Sequence, residues 1–261
     1  MPELPEVELY ARYFAEQALR QEIARVEVRD ERILGAVRKE ALSRALRGNE
    51  FTRISRHGKH LFADVATQWV HFHFGMSGDL AYYTSEDEEP RFARVVFDFT
   101  NGAHLAFEDM RLFGVVDLTP SPGDFIREHR LGPDPLDPNF TLKRFREIVA
   151  RRRGAIKAML MSQEIIAGIG NLYADETLFQ TGIHPRRPVN KLSHSDVKAV
   201  YSRMRRVLRE VIERKARGAS YPRTYLIPRR EEGERCPKCG GTIRRTVVFG
   251  RTTYYCGRHQ R

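Results

Sequence analysis

The chain opens Met1-Pro-Glu-Leu-Pro-Glu-Val-Glu8, which sets a proline behind the initiator methionine and three carboxylates close by. Methionine before a small residue is normally removed, which makes Pro2 the mature terminus. A free α-amino group titrates near about pH 8, so a fraction is unprotonated and nucleophilic at neutral pH. Amines attack sugar or carbonyl carbons to give Schiff-base intermediates, and a neighbouring carboxylic acid can move the protons. Glu3, Glu6 and Glu8 supply such groups. Retention of Met1 would hold the Pro2 nitrogen as an amide and forbid this chemistry. The same residues also fit an ordinary acidic helix start, where Pro and Glu are both favoured.

A second constellation lies at the other end. Cys236-Pro-Lys-Cys239 is followed, sixteen residues on, by Cys256-Gly-Arg-His259. Two-residue gaps let both ligands of each pair reach one tetrahedral ion, and imidazole is as competent a zinc ligand as thiolate. The three cysteines are clustered and odd in number, which argues for one structural zinc rather than disulfides. Between the pairs, Thr246 to Tyr255 reads as a hairpin turning at Gly250-Arg251, whose tip offers the Arg251 guanidinium to a phosphate.

Other candidates lie between. Gly168-Ile-Gly170 precedes Asn171 at the opening of a helix, where backbone amides bind anions. Arg56-His-Gly-Lys59 puts a cation beside a glycine turn. Met76 sits between Gly75 and Ser77-Gly78, and Arg111 and Phe113 sit in Asp109-Met-Arg-Leu-Phe-Gly114. An apolar wedge plus an arginine suits insertion into a base stack, and core packing is the alternative for Met76 and Phe113.

The elements that position these groups can be read coarsely. Residues 2–20 carry a helical period. From about 23 to 119 the pattern is strand-like, with runs at Ile23–Val28, Trp69–Phe74, Val95–Phe99, His104–Phe107 and Val115–Leu118 separated by turn signals. Pro, Gly and Asp dominate 120–140. Helical periods follow at about 141–150, 155–163, 171–181 and 193–217, the last with Ser193 as N-cap and Gly218 as stop. The expected class is α+β in two domains, an N-terminal β-sandwich with flanking helices and a C-terminal helical domain ending in a zinc hairpin. The expected boundaries are 1–120, a linker at 121–140, 141–220 and 221–261.

Bulk composition narrows the function. The 261 residues carry a net charge of +11. Residues 1–150 hold 20 basic and 25 acidic side chains, against 25 and 9 in 151–261. A basic half of this size points to a polyanion, most simply nucleic acid. No apolar run is long enough for a membrane span, and the acidic N-terminus is unlike a secretory signal. A cytoplasmic, nucleoid-associated monomer is expected.

Taken in order, Pro2-Glu-Leu-Pro-Glu-Val-Glu8, Gly58-Lys59, Met76-Ser-Gly78, Arg111-x-Phe113-Gly114, Gly168-Ile-Gly-Asn-Leu-Tyr-Ala-Asp-Glu176 and the zinc hairpin resemble the formamidopyrimidine-DNA glycosylase / endonuclease VIII family over essentially the whole chain. The resemblance implies a bifunctional enzyme that excises oxidised bases from double-stranded DNA, cleaves abasic sites and nicks the strand. It implies a helix–two-turn–helix at about 155–181 and DNA in the cleft between sandwich and helical domain. It makes Pro2 the nucleophile at C1′, Glu3 the proton shuttle and Glu6 a pocket carboxylate. Lys59, Asn171 and Arg251 become phosphate clamps and His73 a further phosphate contact. Met76, Arg111 and Phe113 fill the gap left by the flipped base. β-Elimination then breaks the 3′ phosphate and δ-elimination the 5′ one. Three departures stand out. His259 replaces the usual fourth cysteine. The segment from Gly218 to Arg235 is too short for the loop that caps 8-oxoguanine in relatives. Leu112 stands where many relatives carry a second arginine. Oxidised pyrimidines, formamidopyrimidines, hydantoins or bare abasic sites are therefore expected beside or instead of 8-oxoguanine.

Overall fold

A computed structural model describes residues 1–261, the side chain of Glu86 excepted. The chain divides into two compact units, Met1–Arg130 and Leu131–Arg261. The architecture is α+β, with a β-sandwich in the first unit and helices plus a two-stranded hairpin in the second.

The first unit begins with α1 (Leu4–Ala18), whose Val7, Ala11, Phe14 and Ala18 form one buried stripe at helical spacing. Next come β1 (Ile23–Val28), α2 (Lys39–Leu46), β2 (Arg53–His57), β3 (His60–Val65), β4 (Gln68–His73) and β5 (Gly78–Tyr83). They are followed by β6 (Ala93–Phe99), β7 (His104–Asp109), β8 (Val115–Thr119) and α3 (Pro122–Glu128). Two four-stranded sheets result, ordered β1-β6-β7-β5 and β2-β3-β4-β8. Phe14 of α1 packs on Phe51 and Phe72, with ring centroids 4.9 and 5.7 Å apart, and Phe97 and Phe107 complete the aromatic core. Within the region read as strand-like, α2 is a helix. Its Leu42 and Leu46 are buried one turn apart while the other six positions stay polar or solvated, which is helical rather than strand spacing.

The segment 121–140 is not uniformly irregular. Ser121 caps α3 through its hydroxyl, and the division between the units falls two residues after that helix. The second unit contains α4 (Leu142–Ala150), α5 (Ile156–Met161), α6 (Asn171–Thr181), α7 (His194–Ala216) and the antiparallel hairpin of β9 (Ile243–Val248) and β10 (Arg251–Cys256). Ser193 and Asp196 form a reciprocal capping box at the start of α7, and Gly218, at φ 65°, follows its end. The α5–turn–turn–α6 unit is stapled by Gln163. Its Nε2 donates to the Met161 and Ile169 carbonyls at 3.0 and 2.8 Å, and its Oε1 accepts from Gly168 N–H. No helix is long and apolar enough to cross a membrane among the described residues.

Candidate functional site

Pro2 precedes the first turn of α1, and Glu3 is the N-cap. Glu3 is only 3% exposed. Glu3 and Glu6 form a capping box, in which Glu6 Oε2 accepts from Glu3 N–H at 3.0 Å. The positive end of the helix dipole faces these two carboxylates. Met1 is exposed, so its loss removes little packing.

Lys59 is brought to the same helix through the turn it occupies. His57 pairs with His60, so Gly58 and Lys59 form a two-residue hairpin turn, and Gly58 supplies a φ of 58°. Arg56 clamps this turn to α1. Its Nε donates to Glu8 Oε2 at 2.8 Å and its Nη1 to the Gly58 carbonyl at 3.2 Å. Glu8, by sequence one more acidic helix residue, thus fixes the height of Lys59 against the N-terminal turn.

His73 ends β4 and pairs across the sheet with His60. Burial, with the nearby Lys59 cation, pushes its pKa below the usual imidazole value, so it is neutral at pH 7. Its Nδ1 accepts from Gly75 N–H at 3.3 Å, which leaves the proton on Nε2 as a donor toward an anion. Behind it, His60 Nδ1 and His71 Nε2 hydrogen bond at 2.9 Å. Phe125 of α3 covers both, its ring centroid 4.2 Å from His71. Burial first, then neighbouring imidazoles, drives His60 down to about 2 and His71 to about 3. The outer face of this sheet is therefore lined by uncharged imidazoles. Nothing in the sequence announced it, because the partners lie on different strands.

Met76, Arg111 and Phe113 occupy two loops joined by one carboxylate. Met76 is 44% and Phe113 55% exposed, and Arg111 lies over the Phe113 ring at 5.2 Å. Buried Asp109 accepts from the amides of Arg111, Phe113 and Gly114 at 3.0, 2.9 and 2.6 Å and from the Ser77 hydroxyl. The Met76 loop and the Arg111 loop are therefore held in one arrangement. Gly75 must be glycine here, since a Cβ would stand 2.3 Å from the Phe113 carbonyl and its φ is 53°. Leu112, at φ 55°, packs on the aromatic core while Met110, Arg111 and Phe113 face outward.

In the second unit Asn171 is the first residue of α6, and its Nδ2 donates to the Thr252 carbonyl at 3.0 Å. Thr252 adjoins Arg251 at the start of β10, so two of the expected phosphate contacts share one support. That support is a buried ionic network. Lys157 Nζ meets Asp175 Oδ1 and Thr253 Oγ1, each at 2.6 Å, and Arg230 Nη2 meets Asp175 Oδ2 at 2.8 Å. Asp175 also accepts from Tyr254 N–H at 3.2 Å. The segment after α7 is tied to α6 by Glu176, which accepts from Ile227 N–H at 2.9 Å, and by Arg230. Burial pushes Glu176 up to about 7, against hydrogen bonds from Gln180 and Ile227.

The metal ligands converge. The ligand atoms of Cys236, Cys239, Cys256 and His259 all lie within 4.8 Å of one another. Cys239 Sγ and Cys256 Sγ are 3.5 Å apart, as are Cys236 Sγ and His259 Nδ1. A tetrahedral zinc with Zn–S near about 2.3 Å and Zn–N near about 2.0 Å sets edges of about 3.5–3.8 Å, so the group fits one structural zinc. His259 Nε2–H donates to the Phe179 carbonyl at 3.1 Å, which fixes the tautomer with Nδ1 toward the metal. The His-for-Cys exchange thus comes with its own outer-shell partner.

Comparison with known proteins agrees along the chain. The formamidopyrimidine-DNA glycosylase N-terminal domain matches residues 1–116, the H2TH domain of the same enzymes 131–222, and a zinc finger found in FPG and IleRS 233–258. A formamidopyrimidine-DNA glycosylase of Symbiobacterium thermophilum is 35% identical, the match covering 100% of this chain and 89% of the relative. That of Bacillus licheniformis is 33% identical over 98% of each. Among solved structures, Lactococcus lactis Fpg with abasic-site DNA superposes with a TM-score of 0.89 at 28% identity, covering 99% of each chain. A point mutant of that protein with Fapy-dG DNA gives 0.90 at 28% identity over 100% of each. The chain belongs to the formamidopyrimidine-DNA glycosylase family, whose members are DNA-repair glycosylases.

Proposed function

We propose that the chain is a bifunctional DNA glycosylase and abasic-site lyase acting on oxidatively damaged duplex DNA. The observation that carries this reading is the N-terminal turn, where a residue whose freed nitrogen is a secondary amine adjoins the buried carboxyl of Glu3. Relatives crystallised with abasic-site DNA and with Fapy-dG DNA support the substrate class.

In this reading the Pro2 nitrogen attacks C1′ of the damaged nucleotide, and the C1′–N bond to the base breaks as the base takes up a proton. Glu3 protonates the ring oxygen, so the sugar opens to an iminium. The iminium acidifies the C2′ hydrogens. Loss of one drives β-elimination and breaks the C3′–O bond, and a further proton loss drives δ-elimination at C5′. Water hydrolyses the iminium and returns Pro2. Lys59, Asn171, Arg251 and neutral His73 hold phosphates, Met76, Arg111 and Phe113 occupy the vacated stack, and Glu6 lines the pocket. The short, doubly anchored segment after α7 supports a lesion range that includes formamidopyrimidines, oxidised pyrimidines and abasic sites rather than 8-oxoguanine alone. A zinc held by Cys236, Cys239, Cys256 and His259 would fix the base of the hairpin that carries Arg251.

Borohydride trapping of Met1-free protein tests this reading on duplexes bearing an abasic site, 8-oxoguanine or an oxidised pyrimidine. A covalent adduct that disappears in Pro2→Gly, with duplex binding retained, is the expected result. An adduct on abasic duplex without base release from any lesion would reduce the protein to a lyase. No adduct on any duplex would leave a non-catalytic DNA-binding protein.

A further inference from the structure

The tip of the zinc hairpin carries a residue that folding alone does not explain. Val248 pairs with Arg251, so Phe249 and Gly250 are the two central turn residues, with φ of 50° and 68°. Such a turn favours Asn, Asp or Gly at its first position, and a bulky aromatic side chain in the left-handed region is strained. Phe249 is also 79% exposed, and Val247, two residues earlier, is 54% exposed. The side chain is therefore unfavourable by backbone preference and unrewarded by burial within the chain. Strain of this kind concentrates where a ligand is held.

The surroundings select the ligand. Arg244, Arg245 and Arg251 are exposed on the same hairpin. Arg186 braces the strand leading to the tip, its Nη2 donating to Thr246 Oγ1 at 2.8 Å and to the Val247 carbonyl at 2.9 Å. An aromatic tip with the Arg251 guanidinium beside it and that of Arg186 on the Val247 carbonyl suits a polyanion that also exposes flat apolar faces, which is nucleic acid. We propose that Phe249 is a DNA-contacting wedge, seated against a base or sugar in the groove beside the phosphate that Arg251 engages. The wedge adds an apolar contact to the clamp and sets how deeply the hairpin reaches. It rests on the assignment of Arg251 as a phosphate clamp.

The test exploits the strain. Phe249→Gly and Phe249→Asn relieve the turn, so the zinc-loaded, Met1-free protein should melt at the same or a higher temperature. Both should bind a duplex carrying a tetrahydrofuran abasic analogue about tenfold more weakly, the scale of one lost aromatic–base contact. Phe249→Trp should keep the affinity and show an emission change on duplex addition beyond that of Trp69 in the wild type. Opposite movements of stability and affinity are the signature, since a structural role would move both together. If trapping through Pro2 succeeds and Phe249→Gly binds like the wild type, the wedge falls and the enzyme reading stands. If trapping fails but duplex binding still depends on Phe249, the enzyme reading falls and the wedge stands. Capture by phosphatidylglycerol vesicles that is lost in Phe249→Gly, with duplex binding unchanged, would overturn the wedge in favour of a lipid surface.

Discussion

Asp109 has no exposed surface and accepts hydrogen bonds from three amides of one loop and from Ser77, so its charge organises both loops that present Met76, Arg111 and Phe113. Burial alone would raise its pKa, but the Ser77 hydroxyl and the amides of Gly114, Arg111 and Phe113 outweigh burial and hold it below the ordinary carboxylate value. A carboxylate depressed in the fold stabilises the protein above the unfolded-state pKa, and that stabilisation is lost as pH falls through the folded value. Asp109→Asn keeps the shape but turns one acceptor into a donor that faces backbone N–H groups. It should cost about 2 kcal/mol at pH 7, and the gap from wild type should narrow in the acid range. Urea unfolding at both pH values measures this. A gap that stays constant with pH would mean that geometry, not charge, is what Asp109 supplies. The loss should also weaken tetrahydrofuran-duplex binding, because the three presented side chains lose their common anchor.

At the scale of elements, the hairpin β9–β10 and the start of α6 form one platform because Lys157 and Asp175 are buried between them. Lys157 has no exposed surface and reaches Thr253, ninety-six positions away in the chain. Breaking a buried ion pair costs about 3–5 kcal/mol, and since Arg230 stays on Asp175 at 2.8 Å the loss of Lys157 falls at the low end. Lys157→Met should therefore destabilise the second unit by about 3 kcal/mol and reduce strand nicking while the zinc content stays at one per chain. Metal analysis beside thermal unfolding checks it, and loss of zinc would show that the network holds the metal site itself. The same element shows what the sequence could and could not reveal. The zinc ligands were legible because coordination needs short fixed gaps within each pair. The helix α7 was legible from its period and caps, and α6 from the Gly168-Ile-Gly170 turn that precedes Asn171. Asp109, Gln163 and Lys157 were not, because each acts through backbone groups or partners that only the fold brings near. The helix α2 was hidden because its eight residues are a short pattern, with only two buried leucines, inside a β-rich stretch.

At the scale of the whole molecule, the charge is divided between the two units. Residues 1–130 hold 17 basic and 22 acidic side chains, against 28 and 12 in 131–261. The proposed phosphate contacts are drawn from both units but differ in kind. Lys59 and Arg251 are cations, whereas Asn171 is an amide and His73 is kept neutral by burial and by Lys59. Counterion release separates them, since log K falls with log salt at about 0.9 per neutralised phosphate. Lys59→Ala and Arg251→Ala should each weaken binding of a tetrahydrofuran duplex and lower that slope by about one. Asn171→Ala and His73→Ala should weaken binding at every salt concentration and leave the slope unchanged at pH 7. Anisotropy titrations between about 50 and 200 mM salt measure all four. An unchanged slope in Lys59→Ala would remove it from the phosphate contacts and leave the Arg56–Glu8 brace positioning something other than a clamp. A lowered slope in His73→Ala would mean that DNA itself protonates the imidazole. The neutral donor would then be a property of the free protein alone.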